Sequence, residues 1–268
     1  MEIRFATNQD ITQLKEIWKI CFGDSDAYIH EFFQHNFVPE QTVVAARDNL
    51  VVGVVYLLPA KLKNKPFMYG YAIGVLPEYR GLGYTQKMLS FVKDESQKKQ
   101  FLFGLHPANE KLSTFYQKIG LKEMYRLKYV DTSNFANKST CVFYDINARE
   151  FVELRETAYQ NLVSWDTKMI SYILQETREF GGFAKKIMLN GNTRVLFGVC
   201  HDNIVLIKET TMTDDEIKAF SASIKSYFTA EQIFWFLPSW STLEGEIQTT
   251  ILGFEDNDSE VYMNLFLD

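Results

Sequence analysis

A strand that runs through a glycine-rich turn into an amphipathic helix constrains the fold of this chain more than any other feature. Residues 66–76, PFMYGYAIGVL, alternate along the chain as a strand does, and Pro77 ends the pattern. The turn EYRGLG at residues 78–83 follows and opens a helix whose apolar face carries Thr85, Met88, Leu89 and Val92. A helix that starts on glycines leaves backbone N–H groups unpaired at its positive end, which suits a bound pyrophosphate.

The strand has two unlike faces by sequence. Gly70, Ala72 and Gly74 alternate with a set of larger residues, namely Phe67, Tyr69, Tyr71, Ile73 and Val75. Strand periodicity predicts that the three small residues share one face of the sheet. Three small side chains on one face indicate that something approaches that face closely.

The glycine turn alone does not define its ligand. A Walker loop needs the pattern G-x-x-x-x-G-K-[ST], which this sequence lacks. The dinucleotide fingerprint G-x-G-x-x-G begins with Gly81 and Gly83, but Gln86 stands at its last position. Neither of these two nucleotide-binding motifs therefore explains the turn.

The composition of the chain argues against several classes of protein. Of the 268 residues, 46% are apolar and 23% are charged, as in a folded protein, and the net charge of −6 argues against a nucleic-acid partner. No apolar run approaches the ~20 residues that span a bilayer, and the beginning, MEIRFATNQD, does not resemble a secretory signal. Three distant cysteines and four scattered histidines form no metal or disulfide pattern. We therefore expect a cytoplasmic, metal-free protein with no membrane partner.

The first helix of the chain is predicted from residues at helical spacing, Ile11, Leu14, Trp18 and Cys21. Asp10 with Gln13 resembles a capping box at the start of this helix. Because Cys21 lies on the apolar face, we interpret it as a buried core residue.

A second informative segment, HPANEKLSTFYQKIGL, occupies residues 106–121 and follows a short apolar strand. Asn109 begins a helix that Gly120 stops. Tyr116 lies on the apolar face of this helix together with Leu112, Phe115 and Ile119. Helical spacing by itself favours a core position for Tyr116.

These two segments together resemble the GNAT superfamily of acyl-CoA-dependent N-acetyltransferases. Pro77–Gly83 resembles motif A of that family, and the second segment resembles its F-Y-x-K-x-G-F motif, with Asn109 seven residues before Tyr116. The predicted order of strands and helices over residues 1–135 also matches. Two motifs at the right separation, within the right pattern of elements, make the resemblance specific.

The resemblance implies how coenzyme A would bind. The pyrophosphate would lie on backbone amides beside Arg80, at Gly81, Leu82, Gly83, Tyr84 and Thr85. The pantetheine arm would pair with the strand end formed by Ile73, Gly74, Val75 and Leu76, and the small residues of that strand would make room for it. Asn109 would hydrogen-bond the arm.

The resemblance also implies a mechanism. A backbone amide near Val75 would polarise the thioester carbonyl, an uncharged amine would attack it directly, and Tyr116 would protonate the departing thiolate as general acid. Some family members carry a carboxylate base on the strand, but residues 67–75 contain none. His106, at the end of the following strand, is a candidate base, and a strand-end cap is the alternative interpretation.

Two positions depart from the family pattern. Thr85 stands where the signature Q/R-x-x-G-x-G/A ends in Gly or Ala, and Leu121 replaces the usual Phe. The first change bears on the geometry of the coenzyme site, and the second is a change in packing.

The polar stretch DTSNFANKST at residues 131–140 predicts a boundary between two domains, 1–133 and 134–268. The second half repeats features of the first: a hairpin turning at residues 201–203, as the first turns at 47–49, and a capping box of Thr213 and Glu216. Gly253-Phe254 follows a predicted helix, as Gly120-Leu121 does. We interpret the second domain as a diverged duplicate that lacks the Gly-x-Gly turn.

The sequence therefore predicts an α/β protein with mixed sheets, a GNAT domain followed by a degenerate GNAT-like domain. This arrangement resembles bacterial tandem acetyltransferases of the enhanced-intracellular-survival type. The predicted function is transfer of an acetyl group from acetyl-CoA to a small-molecule or peptide amine, in a protein that could form a homodimer. Two alternatives remain open: a non-catalytic acyl-CoA-binding regulator, and a tandem enzyme that transfers aminoacyl or long acyl groups.

Overall fold

The computed structural model describes residues 1–137, 139–255 and 260–265. It divides into two compact units, Met1–Lys122 with Ile251–Asp256, and Glu123–Thr250 with Asn257–Asp268. The units are thus discontinuous in the chain, whereas the sequence predicts a single boundary after residue 133. Each unit contains strands and helices in a mixed sheet, which confirms the predicted fold class.

The first unit follows the predicted order of elements. Its strands are β1 (Glu2–Phe5), β2 (Thr42–Arg47), β3 (Leu50–Leu62), β4 (Lys65–Val75) and β5 (Leu102–Leu105). Its helices are α1 (Ile11–Phe22), α2 (Asp26–His35), α3 (Tyr84–Lys99) and α4 (Glu110–Lys118). The strands lie in the order β1-β2-β3-β4-β5, and neighbours are antiparallel except for the parallel pair β4 and β5.

Helices cover both faces of this sheet. On one face, the fully buried Trp18 of α1 packs against Phe32, Tyr56 and Tyr71, with ring centroids 4.5, 5.2 and 5.8 Å away. On the other face, a second apolar cluster joins α3 to the strands. The β2–β3 turn places Asp48 and Asn49 at φ 51° and 66°, the left-handed conformation that two-residue hairpins need.

A β-bulge in β4 breaks the predicted pattern of faces. Tyr71 pairs with Tyr56 and Gly74 with Val54, so one extra residue of β4 lies opposite β3, and Ala72 adopts a φ of 44°. A Cβ atom at Gly70 would come within 2.8 Å of Phe103, whereas one at Gly74 would come within 3.2 Å of the Cys21 sulfur. Because the bulge shifts the alternation by one residue, the prediction that the small residues share a face is wrong.

The second unit contains its own strands and helices. Its strands are β6 (Lys122–Asp131), β7 (Cys141–Asp145), β8 (Val163–Ser164), β9 (Gly182–Leu189), β10 (Asn192–His201), β11 (Ile204–Thr210) and β12 (Gln232–Pro238). Its helices are α5 (Ala148–Ala158), α6 (Thr167–Glu179) and α7 (Asp214–Tyr227). The sheet has the order β6-β12-β11-β10-β9-β7, in which β11 and β12 are the parallel pair.

The C-terminal part of the chain differs from the predicted repeat. Instead of a helix, β12 is followed by a strand, β13 (Glu246–Gly253). Leu252 and Gly253 pair with Leu105 and Gly104 of β5, within the first unit. Gly253 therefore ends a strand where Gly120 ends a helix, and the predicted equivalence of the two positions is wrong.

The predicted linker does not lie at the division between the units. Within residues 131–140, the buried Thr132 accepts a hydrogen bond from the Trp235 indole at 2.7 Å and shares one with Ser221 at 3.0 Å. This part of the stretch is packed inside the second unit. Among the described residues, no helix combines the length and the apolar character needed to cross a bilayer.

Candidate active site

The candidate active site is a cleft in the first unit, at the point where β4 and β5 separate. Their parallel pairing joins Phe67–Gly70 to Leu102–Leu105 and ends there. Tyr71–Val75 continue beside β3 alone, so the sheet opens along their other edge. The ends of α1, α3 and α4 border the resulting cleft, which measures about 990 Å³.

The backbone of Val75 faces this cleft. The next residue, Leu76, donates its N–H to the carbonyl of Val52 at 2.9 Å. Because the amides of an antiparallel strand alternate between its two edges, the N–H and C=O of Val75 point away from β3 and into the opening. The Val75 carbonyl accepts a hydrogen bond from Arg80 Nε at 3.0 Å and from the Cys21 thiol at 3.5 Å. Only its N–H group is left to meet a ligand.

The start of α3 forms the second wall. Gly81 and Gly83 adopt φ values of 75° and 79°, and a Cβ atom at either position would meet open space. Gly83 is the N-cap, and no side chain caps the helix. The first intrahelical bond runs from the Lys87 N–H to the Gly83 carbonyl at 3.1 Å, so the preceding amides lack intrahelical acceptors.

Tyr116 on α4 forms the third wall. It lines the cleft although its side chain is only 6% exposed. Burial raises the pKa of its hydroxyl group from 10 to about 12, because the anion is poorly solvated. Tyr116 therefore carries its proton at neutral pH and is able to donate it.

Asn109 has a structural role at the start of α4, and its predicted contact with a ligand stays a prediction. Its side-chain oxygen caps α4 by accepting from the Leu112 N–H at 3.0 Å. With the oxygen used in this way, the NH2 group is the part of the side chain that can donate to a ligand.

Ten of the thirteen predicted site residues line this one cleft: Ile73, Gly74, Val75, Arg80, Gly81, Gly83, Tyr84, Thr85, Asn109 and Tyr116. Three do not. Leu82 points to solvent with 57% of its surface exposed, Leu76 is bonded to β3, and His106 lies just beyond the end of β5. The role of His106 as a base stays a prediction without support from the cleft.

Sequence reasoning missed residues at the end of α1. Cys21 and Phe22 line the cleft, and the Cys21 thiol is half-buried, not a core filler. Burial raises the pKa of Cys21, while the nearby guanidinium of Arg80 opposes that shift. The helical pattern predicts that Cys21 lies on the apolar face of α1, but it does not predict which strand this face contacts. The position of Cys21 at the cleft is therefore seen only in the tertiary structure.

The site carries no metal ligands that the structure reveals. In the described ranges, no group of three or more His, Cys, Asp or Glu side chains could hold a metal ion. The cleft instead offers backbone amides, a guanidinium and a phenol, which are groups that bind anions and donate protons.

Comparisons with known proteins agree with this geometry. Residues 2–124 match the model of the acetyltransferase (GNAT) domain family. The chain is similar in structure to a GCN5-related N-acetyltransferase from Anabaena variabilis, with a TM-score of 0.71 and 16% identity, covering 94% of this chain and 71% of that one. Eis1 from Mycobacterium abscessus gives a TM-score of 0.71 at 10% identity, covering 94% and 72%. A GCN5-related N-acetyltransferase from Kribbella flavida gives 0.69 at 14%, covering 94% and 70%.

No curated protein sequence matches the chain. The first unit nevertheless has the fold of a GNAT domain. Residues 2–124 match the GNAT acetyltransferase domain, which confirms the predicted family for this part of the chain. The resemblance to the enhanced-intracellular-survival type is confirmed at the level of the fold.

Proposed function

We propose that this protein transfers an acetyl group from acetyl-CoA to the amine of a small molecule or peptide, with Tyr116 as general acid. One observation carries the proposal: a protonated, buried phenol, an inward-facing strand amide and an uncapped helix start all border the same cleft. These are the three groups that acyl transfer from a pyrophosphate-bearing thioester requires.

The cleft suits coenzyme A along its length. The pyrophosphate would accept from the unpaired amides after Gly83 and gain from the positive end of α3, whose first turn carries no acidic residue. Gly81 and Gly83 leave space for it. The pantetheine arm would lie beside Tyr71–Val75, in the opening that β5 leaves, where the NH2 group of Asn109 is a donor.

The reaction would then proceed in one displacement. The Val75 N–H stabilises the oxygen of the thioester carbonyl as negative charge develops there. The neutral amine forms the new C–N bond, the C–S bond breaks, and Tyr116 gives its proton to the leaving sulfur. The amine loses one proton, which then returns the Tyr116 side chain to its neutral form through solvent.

Calorimetric titration of acetyl-CoA into three proteins tests the binding site. For the unchanged chain we expect micromolar affinity, about 8 kcal/mol. Gly83→Glu adds bulk and a negative charge where the pyrophosphate lies, whereas Gly83→Gln adds the same bulk and the same backbone strain without the charge. We expect the Glu variant to bind at least ~10-fold more weakly than the Gln variant.

Two results would contradict the proposal. If the unchanged protein does not bind acetyl-CoA, the cleft is not a coenzyme site. If it binds but releases no free thiol with any member of a broad amine panel, the non-catalytic alternative replaces the enzyme.

A further inference from the structure

The sheet of the second unit opens in the same way as that of the first. The parallel pairing of β11 and β12 joins Ile204–Ile207 to Gln232–Trp235 and ends there. Lys208 is then an extra residue opposite β10, since Ile207 pairs with Gly198 and Glu209 with Phe197. The first unit shows the same sequence of features, a parallel pair followed by a bulge and a separation. The second unit therefore contains a slot of the GNAT type beyond Ile207 and Trp235.

Side chains from the end of the chain occupy this slot. The Tyr262 hydroxyl donates to the carbonyl of Phe236, on β12, at 3.5 Å. The Asn264 NH2 group lies 3.3 Å from both that carbonyl and the Tyr262 oxygen. On the opposite strand, the Thr210 carbonyl accepts from the Tyr159 hydroxyl at 2.5 Å, and the Tyr159 and Tyr262 rings lie 4.6 Å apart. The two separated strands are thus bridged by tyrosine and asparagine side chains.

The backbone around Tyr262 is anchored as well. Its N–H donates to the Asn161 carbonyl at 2.8 Å, and its own carbonyl accepts from the Val163 N–H at 3.0 Å. The Trp165 indole donates to the Leu265 carbonyl at 3.2 Å. Residues 261–265 are all buried. Backbone hydrogen bonds and burial therefore hold this segment in the second unit.

The helix that follows β11 cannot take a pyrophosphate as α3 can. Its N-cap, Thr213, forms a complete capping box with Glu216, so two of the N–H groups at the helix start are already bonded. The carboxylate of Asp214 accepts hydrogen bonds from Ser241 at 2.8 Å and from the Thr242 hydroxyl at 2.7 Å. With Asp215, three carboxylates occupy the first turn of α7 and would repel phosphate.

We infer that residues 261–265 are an internal ligand of the second unit, which fills the slot between β11 and β12 where a GNAT domain would hold pantetheine. The second unit is consequently a structural domain without an acyl-CoA site, and the order of its two central strands depends on the C-terminal segment. This inference goes beyond the proposed function and does not depend on it.

Hydrogen–deuterium exchange on the full chain tests the inference. Tyr262→Ala empties the slot, and we expect peptides that cover residues 204–210 and 232–238 to exchange at least ~10-fold faster, with residues 50–75 unchanged. Tyr262→Phe and Asn264→Ala, which are milder, should cause smaller accelerations in the same two strands. Tyr144→Ala, at an exposed tyrosine of the same unit, is the control. Exchange in both strands that stays at the control level in all three slot variants would overturn the inference.

Acetyl-CoA stoichiometry gives an independent measurement. We expect at most one site per chain in the unchanged protein and in Tyr262→Ala. A second site in either protein would overturn the inference, because the slot or the α7 start would then accept the coenzyme. If acetyl-CoA does not bind at all, the proposed function fails, while the exchange result still tests the internal ligand.

Discussion

Burial of Tyr116 determines what its hydroxyl group can do. The raised pKa of about 12 means that the neutral form persists through the whole range in which proteins are assayed. We therefore expect no loss of kcat/KM from Tyr116 ionisation between pH 6 and 10. The rate should instead rise with pH as the acceptor amine loses its proton, and then level off. A pH profile of thiol release from acetyl-CoA measures this.

The Tyr116→Phe variant tests the general-acid role of Tyr116 by substitution. It keeps the ring in place and removes the proton, so kcat should fall by about 10²–10⁴-fold at every pH while acetyl-CoA affinity stays nearly constant. Tyr144→Phe, at an exposed tyrosine, should change neither quantity. A descending limb between pH 8 and 10 that vanishes in Tyr116→Phe would show that the hydroxyl ionises in that range and refute the buried-acid assignment.

Sequence reasoning finds site residues that belong to a continuous motif. The sequence predicts where α3 and α4 begin and which of their faces are apolar. The predicted site residues at these positions all line the cleft, namely Gly81, Gly83, Asn109 and Tyr116. Cys21 could not be found in this way, because its contact with Val75 joins residues 54 positions apart. The bulge at Ala72 was also hidden, since a residue inserted into a strand leaves the composition of that strand unchanged.

At the scale of elements, the start of α1 departs from its predicted cap. Gln13 does not complete a capping box with Asp10, since its side-chain oxygen accepts from the Val51 N–H at 2.8 Å. The Asp10 carboxylate is bound by Arg4 at 2.8 and 2.9 Å and by the Thr7 N–H at 2.7 Å. Asp10 thus ties β1 to α1. The prediction was wrong because Val51, which is distant in the chain, takes the Gln13 oxygen, while Arg4 and Thr7 on the preceding segment take the Asp10 carboxylate.

This ion pair should make stability depend on pH. The Arg4 hydrogen bonds, helped by Thr7, lower the pKa of Asp10 from 3.8 to about 2, against the opposing effect of burial. The contribution to the free energy of unfolding is present above pH 3.8 and is lost as the pH falls through about 2. We expect Asp10→Asn to cost about 2 kcal/mol at pH 7 in urea unfolding and to remove this part of the acid dependence.

Glu2→Gln is the matched control for Asp10→Asn. Its carboxylate also faces Arg4, at 3.9 Å, but its side chain is 69% exposed. Solvent screens such a pair, so the substitution should leave stability nearly unchanged. Equal losses in the two variants would mean that general charge balance, and not the buried Asp10 bond, stabilises this end of the sheet.

At the scale of the whole molecule, the strand orders of the two units can be matched, and the match differs by one hairpin from the correspondence that the sequence suggests. Strand order β1-β2-β3-β4-β5 in the first unit corresponds to β7-β9-β10-β11-β12 in the second. The turn at Asp202-Asn203 therefore corresponds to the β3–β4 turn and not to the turn at Asp48-Asn49. The turns at Asp48-Asn49 and at Asp202-Asn203 carry the same residue pair in the same left-handed conformation. The similar turn sequences therefore suggested that these two hairpins correspond, and the strand order shows that they do not.

The first unit also takes part of its core from the far end of the chain. Leu252 of β13 is fully buried in the apolar cluster that contains Leu105 and Met88, and Phe254 stacks on Phe103 at 4.7 Å. A residue 130 or more positions beyond the end of α4 could not be assigned to this core by periodicity, because Gly253-Phe254 resembles a helix end locally.

Leu252→Ala should therefore destabilise the N-terminal unit, although the substitution lies near the C-terminus. Loss of this buried side chain leaves a cavity, and we expect it to cost about 2–5 kcal/mol and to accelerate hydrogen exchange in β5. Ile247→Ala on the same strand is the control, since Ile247 is 52% exposed and should cost less than ~0.5 kcal/mol. Unchanged exchange at residues 102–105 in Leu252→Ala would show that the first unit folds without this segment, and the predicted domain 1–133 would then suffice by itself.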